Sequence, residues 1–271
     1  MASSQFPGES GDGTVLTSSK KFWEDVTEGG AGADPNDKSK GWYGTAIQYW
    51  SNAPPTVDGV LGGFGHVSPT DVAASTQFLQ DAAPHICTAG NEHTCALDCG
   101  AGVGRVTNEF LRHHFSEVHL VEPVEALIEE ARRTLVAKRA KTEETNTTKF
   151  SFFAEPLQTF TPAPKTYDVI WIQWVIGHLT DDHFLDFFAR CAEGLKDGGM
   201  IFVKENNATA GRGFIVDSDD SSVTRSDAYL CELFEKANFQ MVAKRRQKEF
   251  PQELYPVRMY ALKPRASTLK P

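Results

Sequence analysis

The sequence predicts a doubly wound α/β fold, in which helices cover both faces of one seven-stranded sheet. Short apolar runs alternate with longer amphipathic stretches along most of the chain, and such alternation builds a parallel sheet. A glycine-rich turn separates the first apolar run from the stretch that follows it. The last two apolar runs have no amphipathic stretch between them, so they predict an antiparallel hairpin at the C-terminal end.

Seven strands and five helices follow from this alternation. Thr180 is the natural N-cap of the fourth helix, because its hydroxyl can accept a backbone N–H of the first turn. Gly198 and Gly199 are expected to end that helix. The predicted strands are 94–98, 118–122, 150–154, 167–173, 200–204, 239–243 and 257–262, and the predicted helices are 69–82, 105–114, 124–138, 181–195 and 225–237.

One domain is expected over residues 41–263. Residues 1–40 are rich in Ser, Gly, Asp and Lys, and their one apolar cluster lies at Phe22 and Trp23. Such a segment can bury little apolar surface, so we predict a flexible N-terminal extension with one short helix at 20–26. Residues 264–271 are predicted to form a loose tail.

The composition is that of an acidic globular protein. The chain has 271 residues, and 36 acidic against 27 basic residues give a formal net charge of -9. A nonspecific nucleic-acid binder needs the opposite sign, because its affinity comes from neutralising phosphates. No apolar stretch reaches the roughly 20 residues that a membrane span requires. We therefore expect neither nucleic acid nor a membrane as a partner, and acids clustered at a site would favour a cationic one.

The five cysteines predict free thiols in a reducing compartment, because their number is odd and no secretory signal is recognisable. Cys95, Cys99 and His93 are close in sequence, but their spacing is not that of a zinc site and no second pair follows. We expect an intracellular protein without a metal.

The most informative segment is the glycine-rich turn ALDCGAGVGR at 96–105. Glycines at such a turn let the backbone approach a ligand at the carboxyl edge of the sheet. The dinucleotide fingerprint is GxGxxG, whereas Gly100, Gly102 and Gly104 form GxGxG behind Asp98. A carboxylate at the mouth of the loop would repel a pyrophosphate and attract a cationic or amino-bearing ligand.

Glu122 ends the second predicted strand, where a carboxylate can bind two ribose hydroxyls. DxGxGxG followed by this acid resembles the S-adenosylmethionine-dependent methyltransferases of the seven-stranded class, although the loop alone leaves dehydrogenases open. The resemblance implies a Rossmann-like sheet, S-adenosyl-L-methionine as cofactor and S-adenosyl-L-homocysteine as product. Arg105 could pair with the carboxylate of the cofactor, or its side chain could simply be solvated at the start of the helix. The implied cofactor residues are Asp98, Gly100, Gly102, Arg105 and Glu122, with Leu157 and Gln158 near the adenine and Gln173 near the methionine portion.

The segment after the fourth strand holds a candidate catalytic residue. It reads WIQWVIGHL, and it lacks the Asn/Asp-Pro-Pro-aromatic motif of many amine and nucleobase methyltransferases. Trp174 can form the wall of a channel there, and His178 lies at the same edge of the sheet. A histidine can accept a proton near neutral pH, although an ordinary loop histidine fits the same pattern.

Four segments together closely resemble the eukaryotic protein α-N-terminal methyltransferases, which modify chains beginning Xaa-Pro-Lys/Arg. They are PPTVDGVLGG at 54–63, WIQWVIGHLTD at 171–181, KENN at 204–207 and DSDDSSVTR at 217–225. The resemblance covers about residues 41–262. The family member compared has Asp where this chain has Glu122, and residues 1–40 have no counterpart in it.

The resemblance also implies roles on the acceptor side. His178 and Asp220 would be the general base pair, and Asn206 would hold the backbone of the first substrate residue. Trp50 and Trp174 would flank the proline at the second position. The remaining implied contacts are Tyr49, Leu61 and Gly62 at a lid over the channel, Asp217 and Ser222 with Glu205 at the third-position cation, and Glu253 and Tyr255 in the last hairpin.

These assignments predict an enzyme that methylates protein N-termini beginning Xaa-Pro-Lys/Arg, acts as a monomer and resides in the cytoplasm, the nucleus or both. A methyltransferase for a small-molecule amine is one alternative. A second is an inactive cofactor-binding scaffold that recruits a partner through an acidic groove. The presence of Asp98, His178 and Asp220 disfavours the scaffold.

Overall fold

The computed structural model describes residues 6–28, 41–86, 93–141, 148–209 and 211–265. Within them the chain forms two sheets and eight α-helices. The helices are α1 (Ser19–Glu28), α2 (Gly41–Asn52), α3 (Val57–Val60), α4 (Ser68–Ala82), α5 (Arg105–Glu109), α6 (Glu125–Lys141), α7 (Asp181–Gly194) and α8 (Asp227–Lys236). The strands are β1 (Gly8–Ser10), β2 (Val15–Leu16), β3 (Cys95–Cys99), β4 (Glu117–Val121), β5 (Lys149–Phe153), β6 (Tyr167–Gln173), β7 (Leu195–Asn206), β8 (Phe214–Asp217), β9 (Ser222–Arg225), β10 (Phe239–Arg246) and β11 (Val257–Pro264).

The larger sheet has seven strands in the order β10-β11-β7-β6-β3-β4-β5. Strands β3 to β7 pair in parallel, whereas β11 pairs antiparallel with both β7 and β10. This confirms the predicted seven-stranded α/β sheet and its C-terminal hairpin. Strand β3 has β4 on one side and β6 on the other. The chain passes from β3 to β4 and β5 on the first side and then returns to β6 on the second. A ligand crevice is expected where connections diverge in this way, at the carboxyl ends of β3 and β6.

The hydrophobic core lies on both faces of this sheet, because successive side chains of a strand point to opposite sides. Leu97 and Ile170 pack with the phenylalanines of α7 on one face. Ala96 and Trp171 pack with Phe202 and the buried side of α4 on the other. Strands buried on both faces appear in the sequence as continuous apolar runs, which is why their positions were predictable.

Several predicted boundaries are wrong. Helix α7 ends at Gly194, so Gly198 and Gly199 do not close it; they lie inside β7, which already begins at Leu195. The helix predicted over 105–114 breaks at Phe110, whose buried side chain is followed by a single 3-10 turn. The helix predicted from 225 begins two residues later, because Ser226 caps it. Thr180 does cap α7, and its hydroxyl accepts the N–H of His183 at 3.2 Å.

The prediction of a flexible N-terminal extension is wrong for residues 6–28. These residues form β1, β2 and α1, and the predicted helix at 20–26 lies inside α1. Strand β1 pairs in parallel with β8 and joins β2, β8 and β9 in a second, four-stranded sheet. No local pattern predicts this pairing, because β8 lies about two hundred positions after β1 in the chain. The remaining predicted extension, 1–5 and 29–40, and residues 266–271 lie outside the described residues.

None of the helices in the described part of the chain is long and apolar enough to cross a membrane.

Candidate active site

The glycine-rich loop joins the carboxyl end of β3 to α5. Gly100, Gly102 and Gly104 have φ of +70°, +53° and +76°, in the left-handed region that side chains rarely adopt. A Cβ on Gly100 would lie 2.5 Å from Cβ of Val175, so only glycine fits there. The loop is fastened by the N–H of Gly100, which donates to the carbonyl of Val121 at 2.9 Å. The backbone is therefore exposed to a ligand where the sequence predicted it.

Glu122 directly follows β4 and closes the loop from the side. Its two carboxylate oxygens accept the N–H groups of Gly102 at 3.1 Å and Val124 at 2.9 Å. Burial raises the pKa of Glu122 to about 7 in spite of these hydrogen bonds. Each oxygen keeps a lone pair for a further donor, so the carboxylate can accept two hydroxyls of a ligand.

A cavity lies above the loop, at the carboxyl ends of β3, β4 and β6. This is the place where open α/β sheets bind their ligands. Arg190 fixes the segment after β5, because its guanidinium donates to the carbonyls of Leu157 and Gln158 at 2.9 and 3.1 Å. The predicted cofactor residues that line this first cavity are Gly100, Gly102, Arg105, Glu122, Leu157, Gln158 and Gln173.

Asp98 does not line this cavity, so the prediction that its carboxylate faces a ligand is wrong. The side chain is fully buried and accepts the hydroxyl of Thr107 at 2.6 Å. Burial raises its pKa to about 6. Asp98 therefore ties β3 to α5 beneath the loop. The alternation of side chains along β3 sets this direction, and the loop pattern does not reveal it.

A buried polar cluster centred on Asp71 of α4 was missed by sequence reasoning. Its carboxylate pairs with Lys204 at 2.5 Å and with Arg105 at 2.7 Å, and it accepts the amide of Gln173 at 3.0 Å. Burial opposes ionisation of Asp71, but the charges of Lys204 and Arg105 prevail and hold its pKa below the usual range. Asp71 thereby fixes two side chains of the cavity wall. No motif signals it, because its partners come from three distant elements.

A second cavity adjoins the first. Both are lined by Trp50, Val60, Leu61, Trp174 and His178, so these residues mark the junction between them. The other predicted acceptor-side residues that line the second cavity are Gly62, Asn206, Asp220, Ser222 and Tyr255, together with Glu205.

His178 is held on three sides at this junction. Its Nδ1 lies 3.0 Å from the carbonyl oxygen of Ser221, and Nε2 lies 3.2 Å from the indole nitrogen of Trp50. A carbonyl only accepts and an indole N–H only donates, so Nδ1 carries the proton and Nε2 is the unprotonated acceptor. The indole of Trp42 donates to the backbone carbonyl of His178 at 2.7 Å. The imidazole therefore has the tautomer that a general base requires.

Ser221 and Trp174 adopt φ of +50° and +53°, which is unusual for residues with side chains. Such conformations persist where surrounding contacts impose them, and they concentrate at functional sites. In Ser221 this backbone conformation accompanies the hydrogen bond that its carbonyl accepts from Nδ1 of His178. Strained backbone thus lies beside the catalytic candidates on two of the segments at the second cavity.

Asp220 and Glu205 are the acids of the second cavity. Burial raises the pKa of Asp220, while Ser222 and His178 act in the opposite direction. Among the described residues, no hydrogen-bond donor reaches Oδ1 of Asp220. Glu205 accepts the N–H of Asn206 at 2.9 Å, and burial raises its pKa to about 7. The cavity thus offers a buried acceptor near the imidazole.

Three predicted acceptor-side residues lie outside the second cavity. Tyr49 is 46% exposed and meets Trp50 edge-on, with ring centroids 5.3 Å apart. Asp217 and Glu253 are exposed. The charge of Asp217 still reaches Asp220, whose pKa it raises further. These three residues can contact only the parts of a ligand that leave the cavity.

At the opposite, amino-terminal edge of the sheet, ligand atoms of Cys95, Glu117 and His119 lie within 4.8 Å of one another. The two imidazole nitrogens of His119 already lie 2.9 Å from Glu117 and 2.9 Å from the hydroxyl of Tyr167. Burial raises the pKa of the Cys95 thiol to about 12, which opposes the thiolate form that binds metals. The hydrogen bonds of His119 explain why these side chains lie close together.

The first cavity fits S-adenosyl-L-methionine. Glu122 offers a carboxylate to the ribose hydroxyls, and the glycine loop lets the ligand approach the backbone. Arg105 and Gln173 line the end where the methionine portion would lie. Leu127 and Leu157 supply apolar surface for the adenine. The sheet order, with β11 antiparallel between β7 and β10, and this cavity define a Rossmann-like, S-adenosylmethionine-dependent methyltransferase.

Comparison with known proteins makes the assignment specific. The chain belongs to the family of AdoMet-dependent proline dimethyltransferases, whose family model matches residues 38–263. It is 42% identical over 259 residues to alpha N-terminal protein methyltransferase 1 of Arabidopsis thaliana, covering 94% of this chain and 90% of that protein. It is 40% identical over 225 residues to N-terminal Xaa-Pro-Lys N-methyltransferase 1-B of Xenopus laevis, covering 82% and 95%.

A solved structure of an S-adenosylmethionine-dependent methyltransferase from Leishmania major shares the fold with a TM-score of 0.82. The two chains are 37% identical, and the match covers 97% of this chain and 98% of that one. The match therefore extends beyond the family model into the N-terminal segment. S-adenosyl-L-methionine is the methyl donor of this enzyme, and the cofactor and enzyme-class predictions are confirmed.

Proposed function

We propose that this enzyme transfers methyl groups from S-adenosyl-L-methionine to the α-amino group of protein N-termini beginning Xaa-Pro-Lys/Arg. The observation that carries the proposal is the position of His178, whose unprotonated Nε2 lies at the junction of the two cavities. A substrate amine that enters through the second cavity can therefore meet both a base and the methyl donor. The names of the relatives from A. thaliana and X. laevis support the same substrate class.

A free α-amine is the acceptor for which a histidine base is adequate. Its unperturbed pKa is about 7.7–8.0, against about 10.4 for lysine, so at pH 7 neutralisation costs roughly 1 kcal/mol for the α-amine and about 4.6 kcal/mol for lysine. Bound S-adenosyl-L-methionine would supply an activated methyl group on a sulfonium, which the neutral amine nitrogen would accept with S-adenosyl-L-homocysteine as the other product.

His178 accepts the proton that the amine must lose. In the ligand-free arrangement the indole of Trp50 donates to Nε2, and an incoming ammonium replaces it as the donor. Asp220 stabilises the imidazolium that forms, because it is the nearby acid whose pKa responds to His178. Most of the acceleration comes from holding the amine in line with the methyl group.

The walls of the second cavity suit a proline at the second position. Trp50 and Trp174 offer flat aromatic faces, which pack well on a rigid pyrrolidine ring. Asn206 offers a side-chain amide for the backbone of the first residue. Leu61 and Gly62, which follow α3, cover the channel from the opposite side. A chain that must continue in both directions would not fit between these walls, so an internal lysine is excluded.

The acidic residues in and around the second cavity have two different tasks. A carboxylate close to the ammonium raises the pKa of the amine and opposes its deprotonation. Asp217 and Glu253 are exposed outside the second cavity, where they can attract a Lys or Arg at the third position. Asp220 lines the cavity next to His178. This separation supports selection for a cationic third residue without a further penalty at the amine.

The decisive experiment compares methylation of a short Xaa-Pro-Lys peptide with that of its N-acetylated form, followed by mass spectrometry. We expect methyl groups only on the free peptide, and the time course counts how many are added. Equal methylation of both peptides would refute the α-amine assignment. Transfer to small amines alone would favour the small-molecule alternative. Cofactor binding without any transfer would favour the scaffold.

A further inference from the structure

We infer that residues 6–28, called the brace below, hold in place the two segments that carry His178 and Asp220. Trp23 is the positioning residue that joins this brace to the turn at 176–179, which carries His178. The family model begins at residue 38, so the brace lies outside the region that the model matches, although the matches to the A. thaliana and L. major proteins extend into it. The inference rests on the proposed function for the identity of the substrate. The brace contains neither residue of the general base pair and no residue that the family model matches.

The first contact of the brace is with the β8–β9 hairpin, whose turn holds Asp220. Strand β1 pairs in parallel with β8, so that Gly8 faces Phe214 and Ser10 faces Val216. The carbonyl of Pro7 accepts the N–H of Gly213 at 2.8 Å. Without β1 and β2, the sheet would consist of β8 and β9 alone, and an isolated two-stranded hairpin is marginally stable in water.

The fit between the brace and this hairpin is close. A Cβ on Gly8 would lie 2.4 Å from the ring of Phe214, so no other residue fits without a shift of the strand or the ring. Phe6 stacks on Tyr229 with ring centroids 4.4 Å apart. Arg212, just before β8, pairs with Glu9 at 2.9 Å. Backbone pairing and charge therefore hold the hairpin, and ring stacking ties the brace to α8, which follows the hairpin in the chain.

The second contact runs from Trp23 to the turn that carries His178. Trp23 is only 8% exposed, and the guanidinium of Arg225 lies 5.5 Å from its ring centroid. Arg225 is itself fully buried and donates to the carbonyls of Ile176 at 3.0 Å and Leu179 at 2.6 Å. Those two carbonyls lie on either side of His178, so Arg225 fixes the turn at both ends.

Trp23 supports the same turn by a second route. Its ring meets Trp42 edge-on, with centroids 5.3 Å apart, and Trp42 donates to the carbonyl of His178 at 2.7 Å. Trp23 therefore packs against both residues whose hydrogen bonds fix the backbone around His178. Neither Trp23, Trp42 nor Arg225 lines the first cavity. Loss of the Trp23 ring should accordingly disturb the acceptor side and spare cofactor binding.

The test compares full-length Trp23→Ala and Trp23→Phe with the unsubstituted enzyme on an Xaa-Pro-Lys peptide. Small displacements of reacting groups cost large factors in rate, so we expect Trp23→Ala to lower kcat/KM for the peptide at least about tenfold, with most of the loss in kcat. The Kd of S-adenosyl-L-methionine should stay within about twofold. Trp23→Phe keeps an aromatic face and should recover most of the activity.

Phe239→Ala is the matched control, because Phe239 is equally buried in the edge strand β10 and lies outside both cavities. We expect it to lower the free energy of unfolding without changing peptide kcat/KM in the folded enzyme. Unchanged kcat/KM in Trp23→Ala would overturn the inference, as would a parallel loss of cofactor affinity or an equal loss in Phe239→Ala.

Backbone hydrogen exchange separates this inference from the proposed function, because it needs no substrate. In Trp23→Ala we expect faster exchange at residues 176–181 and 214–225 than in the unsubstituted enzyme, with no change in the glycine loop at 99–105. Unchanged exchange in the first two segments would refute the brace whether or not the peptide is methylated. Failure of the unsubstituted enzyme to methylate the peptide would refute the proposed function alone.

Discussion

The indole N–H of Trp50 points at Nε2 of His178, with the two nitrogens 3.2 Å apart. The two residues come from α2 and from the turn after β6, and both line the two cavities. An indole N–H only donates, so the contact identifies Nε2 as the nitrogen that carries no proton. Trp50 thus has two features in the structure, since it lines both cavities and its N–H orients the imidazole.

The kinetics of Trp50→Phe test whether the second feature matters for catalysis. Phenylalanine keeps an aromatic wall but offers no N–H, so the imidazole of His178 loses the contact that orients it. A hydrogen bond contributes about 1 kcal/mol, which corresponds to roughly fivefold in rate. We expect kcat on the peptide to fall by about that factor, while the Kd of S-adenosyl-L-methionine changes little. Equal kcat values for the two enzymes would show that the indole does not influence the base.

Substitution of the base pair should separate catalysis from cofactor binding. General base catalysis contributes roughly 100- to 10,000-fold, so His178→Ala and Asp220→Asn should lower kcat on the peptide within that range. The Kd of S-adenosyl-L-methionine, measured by calorimetry, should change little. His85→Ala is the control, because this surface histidine lies outside both cavities. A collapse of cofactor binding in His178→Ala would contradict the role assigned to His178.

Cofactor binding should strengthen with rising pH through Glu122. Its pKa is raised to about 7 by burial, so near pH 6 most of the protein carries the neutral acid, which is a poorer acceptor for ribose hydroxyls. Ionisation between pH 6 and pH 8 should improve the Kd of S-adenosyl-L-methionine by up to about tenfold. Glu122→Gln should bind more weakly and lose this dependence.

Glu125→Gln is the control for that measurement, because Glu125 is an exposed acid at the start of α6 and lies outside the first cavity. It should keep both the affinity and the pH dependence of the unsubstituted enzyme. An unaltered pH dependence in Glu122→Gln would mean that another group is responsible.

The Asp71 cluster predicts a large effect on stability. Asp71→Asn leaves Lys204 and Arg105 buried without their counter-charge, and such a change costs about 3–5 kcal/mol. Asp81→Asn is the matched control on the same helix, since Asp81 forms an exposed pair with Arg245 and its loss should change stability far less. Urea unfolding of the cofactor-free proteins measures both. Similar losses in the two variants would contradict a special role for the buried cluster.

The pattern of buried strands was sufficient to predict the larger sheet. Strand β6, for example, has both ends where the sequence predicts them, because a continuous apolar run lies between polar turns. The start of β7 at Leu195 was not predictable, since the two glycines that follow it suggest a helix end. The orientation of Asp98 was also missed. Its position at a strand end was clear, but the direction of its carboxylate depends on packing against Thr107.

By itself, the sequence determined the methyltransferase class and the position of the glycine-rich loop, because these depend on local motifs. Only the tertiary structure decided which nitrogen of His178 carries no proton, that Asp71 holds Arg105 and Gln173 of the first cavity in place, and that residues 6–28 fold against the β8–β9 hairpin. Those features are contacts between residues far apart in the chain. Strand register and side-chain packing select such partners, and neither leaves a local pattern that a sequence alone displays.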